Sequence, residues 1–398
     1  MEKLKQYRLI EVLDALIDYR GKTPKKTTSG VPLITAKIIK KGRIESPTEF
    51  ISVDDYDSWM VRGFPKVGDV VLTTEAPLGE VAQLDNANIA LAQRVVTLRG
   101  KTGVLDNTYL KYYFLSNVGQ QRLKARETGT TVTGIKQSEL REVTIDVPPY
   151  AVQVEIAYIL KSIDDKIEVN RRINDNLEQQ AQALFKSWFF DFDPFKDAEF
   201  VESELGMIPK GWRVGTLSDL ANITMGTSPS GTSYNVSGEG EVFYQGRAEF
   251  GYRFPHRNMF TTEPKRYAEE GEVLLSVRAP VGDVNIANER CCIGRGLAAI
   301  GSNSYPSYIL YLVKSLKSVF EKYNGEGTVF GSINKKALEG LRIIVPENRY
   351  IGRFEDVANS LDGQIRCKEE ESRRLASLRD TLLPKLMSGE LKLNEVNV

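Results

Sequence analysis

One histidine, His256, and three cysteines, Cys291, Cys292 and Cys367, make up the whole imidazole and thiol complement of this 398-residue chain. A single imidazole removes most Ser-His-Asp, Cys-His and His-ligated metal arrangements at once. The cysteines have neither CxxC spacing nor an even count, so they read as reduced thiols of a cytoplasmic protein. No GxxxxGK[ST] phosphate loop occurs, and Arg295-Gly296-Leu297 lacks the strand–turn–helix glycine fingerprint of a nucleotide fold. The carboxylate pairs Asp54-Asp55 and Asp164-Asp165 come without ligand spacing, and the second reads as a solvated helix face. The chain is expected to hold no metal, no cofactor and no catalytic residue.

Binding chemistry is better represented. Two Gly-Thr loops, Gly129-Thr130-Thr131-Val132-Thr133-Gly134 and Gly327-Thr328-Val329-Phe330-Gly331-Ser332, offer hydroxyls and backbone N–H groups to phosphates. Lys136 and Gln137 follow the first, and Asn334, Lys335 and Lys336 the second. The same loops suit turns that cap a short helix, with Ser138 or Asn334 as cap, and both readings stand. Basic residues gather at Arg20, Lys22, Lys25 and Lys26, at Lys40, Lys41 and Arg43, and at Arg247, Arg253 and Arg257. Arg94 and Gln245 add side chains of the kind that pair with guanine and adenine edges. Formal net charge is nevertheless zero, so weak DNA binding by the chain alone is expected, since phosphate neutralisation supplies most non-specific affinity. Asp146-Val147-Pro148-Pro149-Tyr150 approaches the Asp/Asn-Pro-Pro-Tyr motif of amino-methyltransferases, but the valine breaks it. The second copy reads Ile344-Val345-Pro346-Glu347-Asn348, which fits a strand-to-helix turn in both places.

The elements that must position these residues occur twice. Gly68-Asp69-Val70-Val71-Leu72 continuing to Ala76-Pro77-Leu78-Gly79 returns as Gly271-Glu272-Val273-Leu274-Leu275 continuing to Ala279-Pro280-Val281-Gly282. Gly21-Lys22-Thr23-Pro24 returns as Gly226-Thr227-Ser228-Pro229, and Tyr7 stands where Trp212 stands. Two copies of so long a unit make a duplicated domain, not a solenoid. Strands are expected at 69–74, 80–84 and 89–98, and again at 272–277, 283–287 and, more weakly, 297–300. Helices are expected at 107–124 and 306–323. Residues 27–65 and 231–269 share little, which makes them the variable part. Around Cys292-Ile293-Gly294-Arg295-Gly296 glycines break what is a clear strand at Ala92-Gln93-Arg94-Val95-Val96.

Each half closes with a long helix. Leu160, Ile163, Ile167, Leu177 and Leu184 in the first, and Leu361, Ile365, Leu375 and Leu382 in the second, recur at steps of three and four. Asn170, Asn174, Lys368 and Ser372 interrupt the two seams as register-setting polar positions. Pro384 would kink or end the second helix. An acidic connector separates the halves. The expected fold class is α+β: two similar mixed α/β domains, each followed by a long helix, the helices packed as an antiparallel coiled coil. The boundaries are 1–150 for the first domain, 151–190 for its helix, 191–211 for the connector, 212–348 for the second domain, 349–388 for its helix and 389–398 for the tail. No run of ~18 apolar residues is present to span a bilayer.

Taken in order, the doubled blocks, the two Gly-Thr loops, Phe185-Lys186-Ser187-Trp188-Phe189-Phe190-Asp191-Phe192, the restart Gly206 to Trp212 and Leu382-Leu383-Pro384-Lys385-Leu386-Met387-Ser388-Gly389-Glu390-Leu391 resemble the specificity subunit of Type I restriction–modification systems. The resemblance covers nearly the whole chain. It implies two target-recognition domains reading the halves of a bipartite, asymmetric double-stranded DNA site. It implies helices that set the spacer and dock methyltransferase subunits, two of them, with restriction/translocase subunits as further partners. S-adenosylmethionine and ATP/Mg would then belong to those partners. Two other functions remain open from the residues alone: a stand-alone DNA-modifying enzyme, and a coiled-coil scaffold without a DNA role.

Overall fold

A computed structural model describes residues 4–19, 21, 23–129, 133–325 and 331–391. The chain forms two units, Met1–Val169 with Ser372–Val398, and Asn170–Glu371. The fold is α+β, and the duplication is structural as well as sequential.

Unit 1 is built on a four-stranded antiparallel sheet in the order Leu13–Asp18, Val95–Gly100, Val70–Thr74, Leu78–Gln83. Unit 2 repeats it as Asn222–Met225, Leu297–Gly301, Val273–Ser276, Val284–Ile286. The central strands are buried without alternation because both of their faces are covered. Successive side chains still point to opposite faces. Val70 and Leu72 pack with Tyr109, Tyr113, Ile156 and Leu160 on the helical side, whereas Val71 and Val95 pack with Leu33, Ile34 and Leu91 on the other. In unit 2, Val273 and Leu275 face the helices, and Leu274 and Ala299 face Tyr244, Cys291 and Ile293. Each sheet therefore lies between its long-helix segments and its variable stretch.

The strand expected at 89–98 is two strands, Ala90–Leu91 and Val95–Gly100, with Gln93 and Arg94 in a turn between them. The glycine-rich region of the second copy does the same, with Cys291–Ile293 and Leu297–Gly301 flanking a turn at Arg295 and Gly296. The difference expected between the copies here is absent, because in both the chain must leave one sheet and enter another. The short first strand pairs in parallel with a strand of the variable stretch, Val31–Ile34 in unit 1 and Glu241–Tyr244 in unit 2. Each of these strands also pairs antiparallel with a short strand, Phe50–Ile51 or Phe260–Thr261, and beyond these the stretches diverge. Unit 1 adds a hairpin of Ile39–Lys40 with Arg43–Ile44 and a helix Val53–Trp59. Unit 2 has a strand Tyr234–Asn235 where unit 1 has the bridge of Thr27 with Phe50, and adds a strand Tyr267–Ala268.

The helix expected at 107–124 is broken into Asn107–Leu115 and Asn117–Lys124, where Ser116 leaves helical geometry and caps the second piece. Its counterpart is broken into Pro306–Ser315 and Lys317–Glu321. Asp106 caps the first helix by accepting from the Tyr109 N–H at 2.8 Å. Tyr305 has no such side chain, and buried Glu355 of the second long helix accepts from the Ser307 and Tyr308 N–H groups instead.

The long helices run Tyr150–Phe189 and Asn348–Ser388. Pro384 neither ends the second helix nor stands at its last residue. Leu386 and Met387 bury in the unit 1 core, and that packing retains the last turn despite the missing N–H. The connector is folded rather than a bare linker. Phe200–Ser203 and Gly206–Pro209 form a hairpin, and Phe195 and Trp212 stack edgewise at 5.0 Å, with Tyr350 at 4.6 Å from Phe195.

Candidate nucleic-acid interface

The repeated motifs converge on one junction in each unit. In unit 1 the Thr74 N–H donates to the Arg94 carbonyl at 3.0 Å, and Ile135 N–H donates to the Thr74 carbonyl at 2.9 Å. Unit 2 repeats both bonds, from Val277 to Gly296 at 2.9 Å and from Ile333 to Val277 at 3.1 Å. The hydroxyl preceding each early proline reaches the same turn: Thr23 donates to the Gln93 amide oxygen at 3.1 Å, and Ser228 accepts from the Arg295 N–H at 3.2 Å. Each Ala-Pro bond is cis, and its turn is tied by one hydroxyl. Thr73 Oγ1 donates to the Pro77 carbonyl and accepts from Glu80 N–H; Ser276 Oγ does so with Pro280 and Asp283. Gly79 and Gly282 have φ of +92° and +104°, and a Cβ there would strike Gln120 or Phe320 within 2.8 Å, so glycine is required at both. Three segments, at Thr23, Thr74 and Ile135 in unit 1 and at Ser228, Val277 and Ile333 in unit 2, thus meet around the turn carrying Gln93-Arg94 or Arg295.

Around these junctions most of the expected DNA-contacting cations carry a carboxylate. Lys26 pairs with Glu49, Lys40 with Glu45, Arg94 with Glu75, Arg247 with Asp283, Arg257 with Glu289 and Lys335 with Glu339. Arg43 reaches Glu168 only at 4.0 Å. Exposed pairs of this kind are worth ~0.2–1 kcal/mol each, so a phosphate could displace the carboxylate at small cost. Lys25, Lys41, Lys136 and Lys336 are exposed and have no carboxylate partner among the described residues. Gln245 and Thr133 are exposed as well. Asn334 acts as a cap, accepting from the Ala337 N–H at 2.9 Å, whereas Lys136, not Ser138, precedes the matching helix. Arg20, Lys22, Thr130, Thr131 and Thr328 lie outside the described residues.

Arg253 departs from expectation. Its side chain is 3% exposed and bound to Glu178 and Asp362, one from each long helix, with the Tyr311 hydroxyl at 3.5 Å. Burial opposes its charge, but Asp362, Tyr311 and Glu178 outweigh that and raise its pKa further. It cannot read a base from there. Asp164 is corrected as well: it is not on a solvated face but accepts from the Tyr112 hydroxyl at 2.6 Å and pairs with Arg379 at 2.8 Å and Lys111 at 3.4 Å. Burial disfavours the Asp164 carboxylate, yet Lys111, Tyr112 and Arg379 hold its pKa below the usual range. Tyr311 donates to Asp362 at 2.7 Å in the same way. The two Tyr–Asp pairs occupy equivalent positions of the duplicated frame. Their spacing along the sequence was the one available signal for them.

The seam is antiparallel, because partner numbers fall along one helix as they rise along the other. Asp164 meets Arg379 within unit 1; within unit 2, Asn170 meets Glu371 at 3.1 Å and Asn174 meets the Ile365 carbonyl and Glu369. Leu160, Ile163, Leu177 and Ile365 are buried, and Ile167, Leu184, Leu361, Leu375 and Leu382 are half-buried. Glu371 and Glu369 of the second helix give the asparagines polar partners. Lys368 pairs with Glu371 along its own helix at 3.0 Å.

Among the described residues no group of three or more His, Cys, Asp or Glu side chains could hold a metal ion, and no helix is long and apolar enough to cross a membrane. The model of the Type I restriction modification DNA specificity domain family matches residues 1–179 and 209–354. The MjaX specificity subunit of Methanocaldococcus jannaschii is 29% identical over 96% of this chain and 92% of its own length. The MjaIX type I restriction enzyme specificity subunit of the same organism is 30% identical over 84% of this chain and 80% of its own. A solved Type I restriction-modification S subunit from M. genitalium shares the fold with a TM-score of 0.58 over 96% of both chains, at 18% identity. The chain therefore belongs to the family of Type I restriction–modification DNA specificity subunits, the non-catalytic and cofactor-free chains of those systems.

Proposed function

We propose that residues 1–150 and 212–348 each read one half of a bipartite, asymmetric site on double-stranded DNA. The observation that carries this is the junction built twice from one frame beside two variable stretches of different structure. A shared frame fits a shared task of gripping phosphates, and unlike stretches fit unlike bases. In this reading Lys25, Lys26, Lys40, Lys41, Arg43, Arg94, Thr133 and Lys136 contact one half-site. Gln245, Arg247, Arg257, Asn334, Lys335 and Lys336 contact the other, and Arg20, Lys22, Thr130, Thr131 and Thr328 complete the set. The helix pair sets the unread spacer and docks two methyltransferase subunits, with restriction/translocase subunits joining the complex. S-adenosylmethionine and ATP/Mg act on those partners. Zero net charge fits a chain whose affinity for DNA is completed by a partner.

Co-expression with its methyltransferase subunits, followed by methylation mapping of the host genome, tests the reading. A split motif with unlike halves is expected, and replacing residues 7–150 with those of another specificity subunit should change one half only. A single continuous motif, or a swap that alters both halves, would overturn it.

A further inference from the structure

The variable stretch of each unit wraps around the free edge of its sheet toward the long helices. In unit 1 the wrap is the hairpin at Lys40–Arg43: Gly42 bridges Ala82, and the Lys41 N–H donates to Glu80 at 2.7 Å. Its tie to a long helix is Arg43 with Glu168, a pair at 4.0 Å whose arginine is 61% exposed. In unit 2 the wrap is residues 251–254. Asn285 Nδ2 donates to the Gly251 carbonyl, and the Ile286 N–H to the Arg253 carbonyl, both at 3.0 Å. Here the side chain turns inward and binds carboxylates of both helices.

The charge arithmetic of the helix pair explains the difference. Asp164 and Asp362 are equivalent, and each is held by an equivalent tyrosine, Tyr112 or Tyr311. In unit 1 the opposite helix neutralises the aspartate itself, through Arg379. In unit 2 the opposite helix presents Glu178, a second acid, so two carboxylates face one another with Lys314 of the frame beside them, 2.5 Å from Glu178. Buried carboxylates left unpaired are costly. The missing positive charge comes from the variable stretch.

We propose that Arg253 is a positioning residue: it supplies the counter-ion that the helix pair lacks in unit 2, and thereby fixes the second recognition stretch on the helices. The consequence is asymmetric modularity. The first stretch can be exchanged without touching the helix pairing, whereas the second can be exchanged only if its replacement brings an arginine to this place. Glu270, 2.5 Å from Arg366, flanks the same attachment.

The proposal rests on the two-half-site reading, and its test separates the two. The full chain is assembled with its methyltransferase subunits, and methylation rates are measured on the mapped site and on sites with one base pair changed in either half. Three variants are compared with wild type: Arg253→Met, Arg253→Lys, and the triple Arg253→Met/Glu178→Gln/Asp362→Asn, which removes the arginine together with both of its acids, leaves Lys314 at 24% exposure to meet solvent, and remains informative if the single variant does not assemble. The triple variant is expected to assemble yet lose at least ten-fold of its discrimination in the second half-site, with discrimination in the first unchanged. Arg253→Lys is expected to fall between it and wild type. Wild-type discrimination in the triple variant, or equal losses in both halves, would overturn the positioning role while leaving the two-half-site reading intact. A wild-type complex without a two-part motif would remove both.

Discussion

Replacing Asp164 with alanine should destabilise unit 1 far more than the same change at its neighbour Asp165. Asp164 answers three groups: Tyr112, Arg379 and Lys111, whose side chain is only 9% exposed. Removing one member of a buried pair costs about 3–5 kcal/mol because the survivors stay charged and poorly solvated. Asp164 and Arg379 are each about a quarter exposed, so some water reaches them, and about 2–4 kcal/mol is the expected loss. For a unit of this size that lowers Tm by roughly 6–12 °C. Asp165 is 61% exposed and pairs with Lys161 one turn away, and its removal should cost no more than about 0.5 kcal/mol. Urea titration of both variants at pH 7 measures the difference. Adding Tyr112→Phe to Asp164→Ala should cost less than the sum of the single changes, since the two share one interaction. The pH dependence has a definite sign. Asp164 has a lowered pKa in the folded chain, so its stabilisation is fully present above the unfolded value of about 4 and fades as pH falls through the folded one. The gap between wild type and Asp164→Asn should therefore close below about pH 4. Equal effects of the two alanine variants at pH 7, or a gap that persists in acid, would refute the reasoning.

Two further outcomes are expected. If the helices set the spacer, inserting four residues into each at matched levels adds about 6 Å apiece; the mapped spacer should lengthen with both half-sites unchanged, and an unchanged gap with altered half-sites would refute the role. Of the three thiols, Cys367 is exposed while Cys291 and Cys292 are buried, and burial pushes the Cys291 thiol up to about 12. Since the thiolate is the reactive form, the native chain should titrate one fast equivalent with a thiol reagent at pH 8 and the unfolded chain three; two fast equivalents in the native state would contradict the packing.

The sequence alone determined the frame. Runs such as Val70-Val71-Leu72 and Val273-Leu274-Leu275, the glycines at 79 and 282, and the three-and-four spacing of Leu160, Ile163 and Ile167 are local signals. Strand periodicity, tight turns and the apolar stripe of a helix are set by residues a few positions apart. The duplication then allowed each copy to check the other. Tertiary structure decided what depends on distant partners. Gln93-Arg94 and Arg295-Gly296 look unlike as text, yet both are turns, because a parallel partner strand from the variable stretch claims the residues before them. Pro384 stays within its helix because Leu386 and Met387 have a core to enter. Arg253 reads as one more surface arginine until two acids 75 and 109 residues away close on it. Asp164 reads as a surface acid until Tyr112 and Arg379 do the same. Charge in a sequence carries no burial label; whether an arginine meets solvent or a pair of carboxylates is settled only when the helices, the sheet edge and the wrapping stretch are brought together.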